Sequence, residues 1–316
     1  MSQQSLPQGL ASQPEAARAP RRSSLLRSRK WWGFAFVLPV VLFFGAFSIF
    51  PIAYGFYLSL TDFTLLRSPE WVGARNYVNL WHDGLFQQAV RVTIGFVLGT
   101  TVPVWILSLL AALLFFQRFP ARGMFKALFF LPVLPSLVVV SIVWKVLLHP
   151  DGILTSMVGP IVGMSEINWL NSAVLAPWSM IIVQNWATIP FFMLIWLAGL
   201  SGIPTELREA ALIDGANRLQ AFLRVELPML RPTAVLVAAV STIQAFQGFI
   251  LQYVMSPDKG GPADSTTTLA LLIWKYGFQY FRMGEAAAIS VILFLIILLV
   301  TFLQLVLGRA DTPVGR

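Results

Sequence analysis

A chain of 316 residues in which 57% are hydrophobic and only 11% charged, with a mean hydropathy of +0.74, has too little polar surface to cover a soluble domain. The formal charge of +8 does not mark a nucleic-acid partner, because the Lys and Arg stand in blocks beside long apolar runs and not along one polar face. Cysteine is absent, which excludes disulfides, thiolate metal sites and a Cys nucleophile, and His82 and His149 lie far apart in or beside loops, where a metal site would need several converging ligands.

Residues 1–29 are rich in Gln, Ser, Pro, Ala and Arg without apolar periodicity, a composition that predicts a tail with no fold of its own. The apolar run from Trp31 to Leu60 is about twice the core of a signal peptide, roughly 7 to 15 residues, so it reads as an uncleaved first transmembrane helix. Further runs fall at 88–116, 124–148, 175–200, 232–255 and 284–307, each long enough at about 1.5 Å per residue to cross a core of about 30 Å. Pro39, Pro51, Pro103, Pro132, Pro135 and Pro190 lie inside these runs and predict kinks rather than helix ends. The expected fold is all-α: a polytopic membrane bundle of six transmembrane helices over 30–308, followed by a short tail at 309–316.

Basic residues set the expected orientation. The first tail carries Arg18, Arg21, Arg22, Arg27, Arg29 and Lys30, the second connection Arg118, Arg122 and Lys126, and the fourth Arg208, Arg218, Arg224 and Arg231, so these and both termini are assigned to the cytoplasm. The third connection, around Asp151 and Glu166, has no Lys or Arg and fits the outside. Arg91 and Lys145 fall near outer helix ends, where long side chains snorkel to the interface.

The fourth connection is longer than a turn between two membrane helices needs, and its residues read as helical. Thr205 after Pro204 predicts an N-cap, Glu206 and Glu209 suit the positive helix end, and the helix is expected to run to Asp214. Gly215 predicts a left-handed C′ residue, and with Ala210, Ala211 and Ala216 it leaves a surface with little bulk. Leu219, Phe222 and Leu223 then share one apolar face until Pro228 ends the segment. The plainer reading is an amphipathic helix lying on the membrane.

Residues 209 to 228, EAALIDGANRLQAFLRVELP, resemble the EAA loop of binding-protein-dependent ABC importer permeases. The family pattern is met at Glu209, Ala210, Ala211, Gly215, Leu227 and Pro228, with Val225 replacing the usual Ile. The resemblance implies that the loop, 204–229, forms a coupling helix that docks in a cleft of an ATPase subunit, with Glu209, Ala210, Ala211, Asp214, Gly215, Leu227 and Pro228 in that role. The stretches LPVVLFFGAFSIFPIAYGFYLSLTDF, WVGARNYVNL, FFLPVLPSLVVVSIVWKVLLHPDGIL and KGGPADSTTTL are similar to the carbohydrate-uptake permeases of the maltose type, without the large extracellular insertion of the enteric subunit. Such a permease is expected in the bacterial-type cytoplasmic membrane, with a second homologous permease subunit, two ATPase subunits that bind ATP and Mg, and an extracytoplasmic solute-binding protein. No cofactor is expected in this chain.

Polar side chains near the bilayer middle are costly unless they pair or line a pathway. Gln184, Asn185 and Thr188 fall there in the fourth span, and Ser241, Thr242, Gln244 and Gln247 in the fifth. Gln184 and Thr188 share one helix face at i, i+4, and Ser241, Gln244 and Gly248 another at i, i+3, i+7. Neutral donors and acceptors suit hydroxyls, and Trp186, Phe191 and Phe246 offer rings for sugar faces. The maltose-type resemblance places the solute site in the same regions, which gives Gln184, Thr188, Phe191, Ser241, Gln244 and Gly248 as candidates. The plainer reading is that these amides only join helices, at about 0.6 kcal/mol each. The chain has no Gly-rich loop ending in Gly-Lys-Ser or Gly-Lys-Thr, so it is not expected to hydrolyse ATP. An ion-coupled secondary transporter or channel is the competing class; it normally places ionisable groups within its spans, and no span centre here holds Asp, Glu or His.

Overall fold

The structure is a computed structural model that describes residues 36–117 and 119–309. The tail at 1–29, the start of the first apolar run, Arg118 and residues 310–316 lie outside the described residues. The chain forms two units, one ending at Tyr54 and one beginning at Gly55. In the first, helix α1 is described over Phe36–Ser59 and contains one π-type turn at Gly45–Ile49. Its Phe, Val, Leu and Ile side chains from Phe36 to Phe50 are exposed on every face, the pattern of a helix made for an apolar medium.

The second unit begins with a feature the sequence did not announce, an antiparallel hairpin of β1 (Thr61–Thr64) and β2 (Arg67–Trp71) with Thr61 opposite Trp71. Helix α2 (Arg75–His82) holds its base: Asn76 is buried and donates from Nδ2 to the carbonyls of Ser59 and Thr61 at 2.8 and 2.9 Å. Asp83 then caps α3 (Gly84–Phe116), its Oδ1 accepting from the Leu85 N–H at 2.8 Å.

Pro103 does not end α3, and the reason lies across the bundle. Proline at 103 removes the N–H that would meet the Gly99 carbonyl. Asn185 of α7 (Leu175–Ser201) donates to that carbonyl from Nδ2 at 3.0 Å. Farther along, Trp196 Nε1 donates to Ser108 Oγ at 3.0 Å, so α3 and α7 run parallel. Helix α10 (Arg231–Phe246) runs against them, with Trp105 Nε1 donating to Ser241 Oγ at 2.8 Å. It packs antiparallel on α13 (Met283–Arg309), where Gln304 Nε2 donates to Thr242 Oγ1 at 2.9 Å. Between them come α11 (Ile250–Met255) and α12 (residues 269–279), which returns to α3 through the Leu269 N–H on Thr93 Oγ1 at 2.8 Å.

The third expected span differs from its reading. Pro132 and Pro135 do not kink one helix; they separate α4 (Arg122–Val133) from α5 (Leu137–Leu147), which meet at 91°. Two prolines three residues apart remove two donors, and Ser136 starts a new helix by accepting from the Val139 N–H at 3.4 Å. A short apolar helix, α6 (Ile153–Val162), follows and ends at Gly163 with φ +71°. Among the described residues, five helices are long and apolar enough to cross a membrane, or six with the bent pair as one span.

At the end of the bundle remote from the 204–229 loop, Lys145 Nζ donates to the Val254 carbonyl at 3.2 Å, joining α5 to α11. Lys275 is buried there and meets Asp264 at 2.7 Å and Thr267 at 3.2 Å, so its charge is paired.

Candidate functional site

Five of the six candidate solute residues, Gln184, Thr188, Phe191, Gln244 and Gly248, line one cavity of about 390 Å³ between α5, α7, α10 and α11. Helix breaks make the space. The 91° turn presents Pro132 and Pro135, and the interruption between α10 and α11 presents Gln247, Gly248 and Phe249. A Cβ at Gly248 would stand 2.8 Å from Phe96 Cε1 and 3.1 Å from the Ala245 carbonyl, so only glycine fits this approach.

The side-chain amides of Gln184, Gln244 and Gln247 make no hydrogen bond among the described residues, while Thr188 donates to the Gln184 carbonyl at 2.8 Å and keeps its lone pairs free. Among the described residues, none that lines it is ionisable. The walls therefore offer neutral donors and acceptors beside the partly exposed Phe191 ring, a setting for hydroxyl groups on an apolar frame.

Ser241 lies outside this cavity but lines a narrow adjoining space of about 10 Å³ with Gln184, Thr188 and Gln244. It is buried, donates to the Val237 carbonyl at 2.6 Å and accepts from Trp105, so it packs helices. Trp186 sits edge-on to Trp144 at 5.4 Å, and Phe246 lies in the core with Leu272 and Ile289, so neither ring lines the cavity. Sequence reasoning missed Pro132, Pro135 and Phe249; the Pro-x-x-Pro-Ser and Gln-Gly-Phe breaks were the available signals.

The loop is built with the opposite economy. Helix α8 (Thr205–Ile213) follows Pro204, and Thr205 is its first helical residue without a side-chain cap, which corrects the expected N-cap. At its other end Gly215 has φ +90°, its N–H meets the Leu212 carbonyl at 3.1 Å, and the Ala216 N–H meets Ala211 at 3.0 Å, a complete Schellman closure. Asn217 and Gln220 then form a reciprocal capping box, each accepting a backbone N–H of the other at 2.9 Å, and start α9 (residues 218–229).

Pro228 does not end this helix. A π-type turn at Phe222–Glu226 shifts the pairing before it, and the chain stays helical to Met229. The expected apolar face also divides: Phe222 is half-buried against the core, whereas Leu219 and Leu223 are exposed. One contact had no sequence signal beyond a lone carboxylate in an apolar stretch. Glu226 is buried, and Arg208 of α8 reaches it at 3.1 Å, pinning α8 to α9. Glu209, Ala210, Asp214 and Gly215 are exposed, Ala211 and Leu227 half-buried and Pro228 exposed. Leu212 and Ile213 add exposed apolar side chains beside them.

Residues 104–310 match the family described as "Binding-protein-dependent transport system inner membrane component". The chain belongs to this family. Its membership covers the cavity helices and the loop, and makes the chain a multi-pass permease subunit of the inner membrane. Curated relatives include the "Probable ABC transporter permease protein YesP" of Bacillus subtilis, 31% identical over 91% of this chain and 93% of the relative. The "Trehalose/maltose transport system permease protein MalF" of Thermococcus litoralis is 32% identical over 88% and 93%. The "Lactose transport system permease protein LacF" of Rhizobium radiobacter is 33% identical over 91% and 97%. A solved bacterial alginate ABC transporter, in complex with its pentasaccharide-bound periplasmic protein, contains a chain of the same fold, with TM-score 0.77 and 21% identity over 92% of this chain and 98% of that one.

Proposed function

We propose that this chain imports a neutral sugar, oligosaccharide or related polyol by alternating access through the Gln184–Gln244 cavity. The observation that carries the reading is the cavity itself: about 390 Å³, three unpaired amides, one hydroxyl, one exposed ring and no ionisable wall. Relatives named for trehalose/maltose and lactose transport support the carbohydrate class. A charged solute would find no counter-ion in this cavity.

In this reading the exposed face of α8, with Glu209, Ala210, Ala211, Asp214 and Gly215, docks on an ATPase subunit, while Leu227 and Pro228 carry the turn back to the membrane. The loop and both termini face the cytoplasm. Two ATPase subunits hold ATP and Mg, a second homologous permease completes the pathway, and an extracytoplasmic binding protein delivers solute. ATP-driven closure of the ATPase pair moves α8, and the Arg208–Glu226 pair passes that movement to α9 and α10.

Uptake of labelled di- and oligosaccharides, with glycerol 3-phosphate included, is measured in cells lacking the chain and complemented with wild type or Glu209→Ala. The expected result is ATP-dependent uptake of a neutral carbohydrate by wild type and weakened uptake by the variant at equal membrane-inserted protein. Absence of any carbohydrate uptake overturns the substrate class, and uptake that persists after ATP depletion with the ion gradient intact overturns the ATP-driven mechanism.

A further inference from the structure

A second cavity, of about 340 Å³, lies at the end of the bundle remote from the loop, between residues 88–96 of α3, the start of α7, Gln252 of α11, and residues 265–268. Its walls are mainly apolar, with Val92, Phe96, Met180 and Ile181 among them. Its floor is not. Gln252 is only 1% exposed, yet among the described residues neither of its amide atoms has a partner, and the buried Ser265 hydroxyl has none either. Buried polar groups left open in this way are rare and point to something that meets them.

The mouth has a different character from the floor. Arg91 is exposed there and without an ion pair among the described residues, and the exposed Trp178 ring lines the same cavity. Around them the surface is apolar, with Ile94, Leu98 and Ile182 each at least 50% exposed. Arg91 lies about 10 Å along α3 from its first residue, and near the ends of membrane helices Arg side chains snorkel and Trp rings settle among headgroups. A small polar solute would meet Gln252 but would leave the apolar mouth bare. An occupant of the whole site needs hydroxyls for the floor, an anion for the rim and an apolar tail along α3 and α7.

We propose that this cavity holds the headgroup of an anionic phospholipid. Its phosphate sits against Arg91, hydroxyls of the head reach Gln252 and Ser265, and an acyl chain follows Ile94, Leu98 and Ile182. This assignment does not depend on the identity of the transported solute.

The test uses the full-length chain purified with its bound subunits from membranes containing phosphatidylglycerol and phosphatidylethanolamine, with retained lipid read by native mass spectrometry. Arg91→Gln is expected to lower retained phosphatidylglycerol on the order of tenfold, the size of one hydrogen bond to a charged group, and to leave phosphatidylethanolamine unchanged. Arg91→Lys keeps most of the binding, and Arg67→Gln, which removes the same charge from the hairpin, changes nothing. Gln252→Leu lowers phosphatidylglycerol without lowering the melting temperature, because the wild-type amide has no protein partner to lose. Equal retention in wild type and Arg91→Gln, or no retention in wild type, overturns the proposal. So does a carbohydrate found in place of lipid, or a cross-link from Gly95→Cys to a second membrane subunit covering this face.

Discussion

In the loop, the helix break at Gly215 is closed by neighbouring backbone and side-chain groups, whereas in the cavity the breaks leave polar side chains facing space. Gly215 ends α8 with both Schellman bonds formed, Asn217 and Gln220 cap each other, and Arg208 closes on Glu226. Pro132, Pro135 and Gly248 also interrupt helices, yet Gln184, Gln244 and Gln247 beside them stay unpaired. The difference separates two kinds of work. On the proposed function, a segment that passes on a push needs internal closure with exposed tips, while a segment that holds a passing solute needs polar groups left open.

The largest effect is expected where the cavity depends on a missing side chain. Gly248→Val drives a branched group into Phe96 and the Ala245 carbonyl, and such overpacking costs about 1–3 kcal/mol. The added bulk also occupies the break that opens the cavity. Initial uptake rate should fall at least about tenfold, while membrane-inserted protein, measured by immunoblot, falls much less. A variant that transports at the wild-type rate would show that the break between α10 and α11 is not part of the path.

An intermediate effect should come from opening the loop. Arg208→Ala leaves the Glu226 carboxylate buried and alone; because the Arg208 side chain is 42% exposed, the loss is set below that of a fully buried pair, at about 1–3 kcal/mol. Thermal melting of the purified protein should show it, and adding Glu226→Gln should recover part of it by removing the stranded charge. If the single variant melts with wild type while ATP hydrolysis per solute rises, the pair transmits movement without stabilising the fold.

How much of this was legible in the sequence depends on the range of the interaction. The loop's Gly215 and the depth of Gln184, Thr188 and Gln244 are local properties, readable from helical spacing and hydropathy. Asn185 looked like Gln184 in the sequence, but only the fold shows that Pro103, 82 residues earlier, leaves the carbonyl that Asn185 satisfies. The same limit hid the Arg208–Glu226 pair. The third span breaks more sharply than the kink that its prolines predict, because Pro132 and Pro135 remove two donors and Ser136 caps a second helix.

Ser241 and Gln244 give the smallest and sharpest contrast, since spacing puts them on one face, yet Ser241 is bonded to protein groups while Gln244 lines the large cavity without a bond among the described residues. Ser241→Ala removes the acceptor of the Trp105 indole N–H and should cost about 1 kcal/mol of stability. Its uptake KM should not move, because Ser241 does not line the large cavity. Gln244→Ala removes an amide that no protein group engages, so its melting temperature should hold. Its KM should rise about two- to tenfold, the range for one neutral hydrogen bond to a solute. Measuring both variants for both quantities separates helix packing from solute contact. Equal KM values for wild type and Gln244→Ala would remove that amide from the solute site, and a raised KM for Ser241→Ala would extend the site into the packed core.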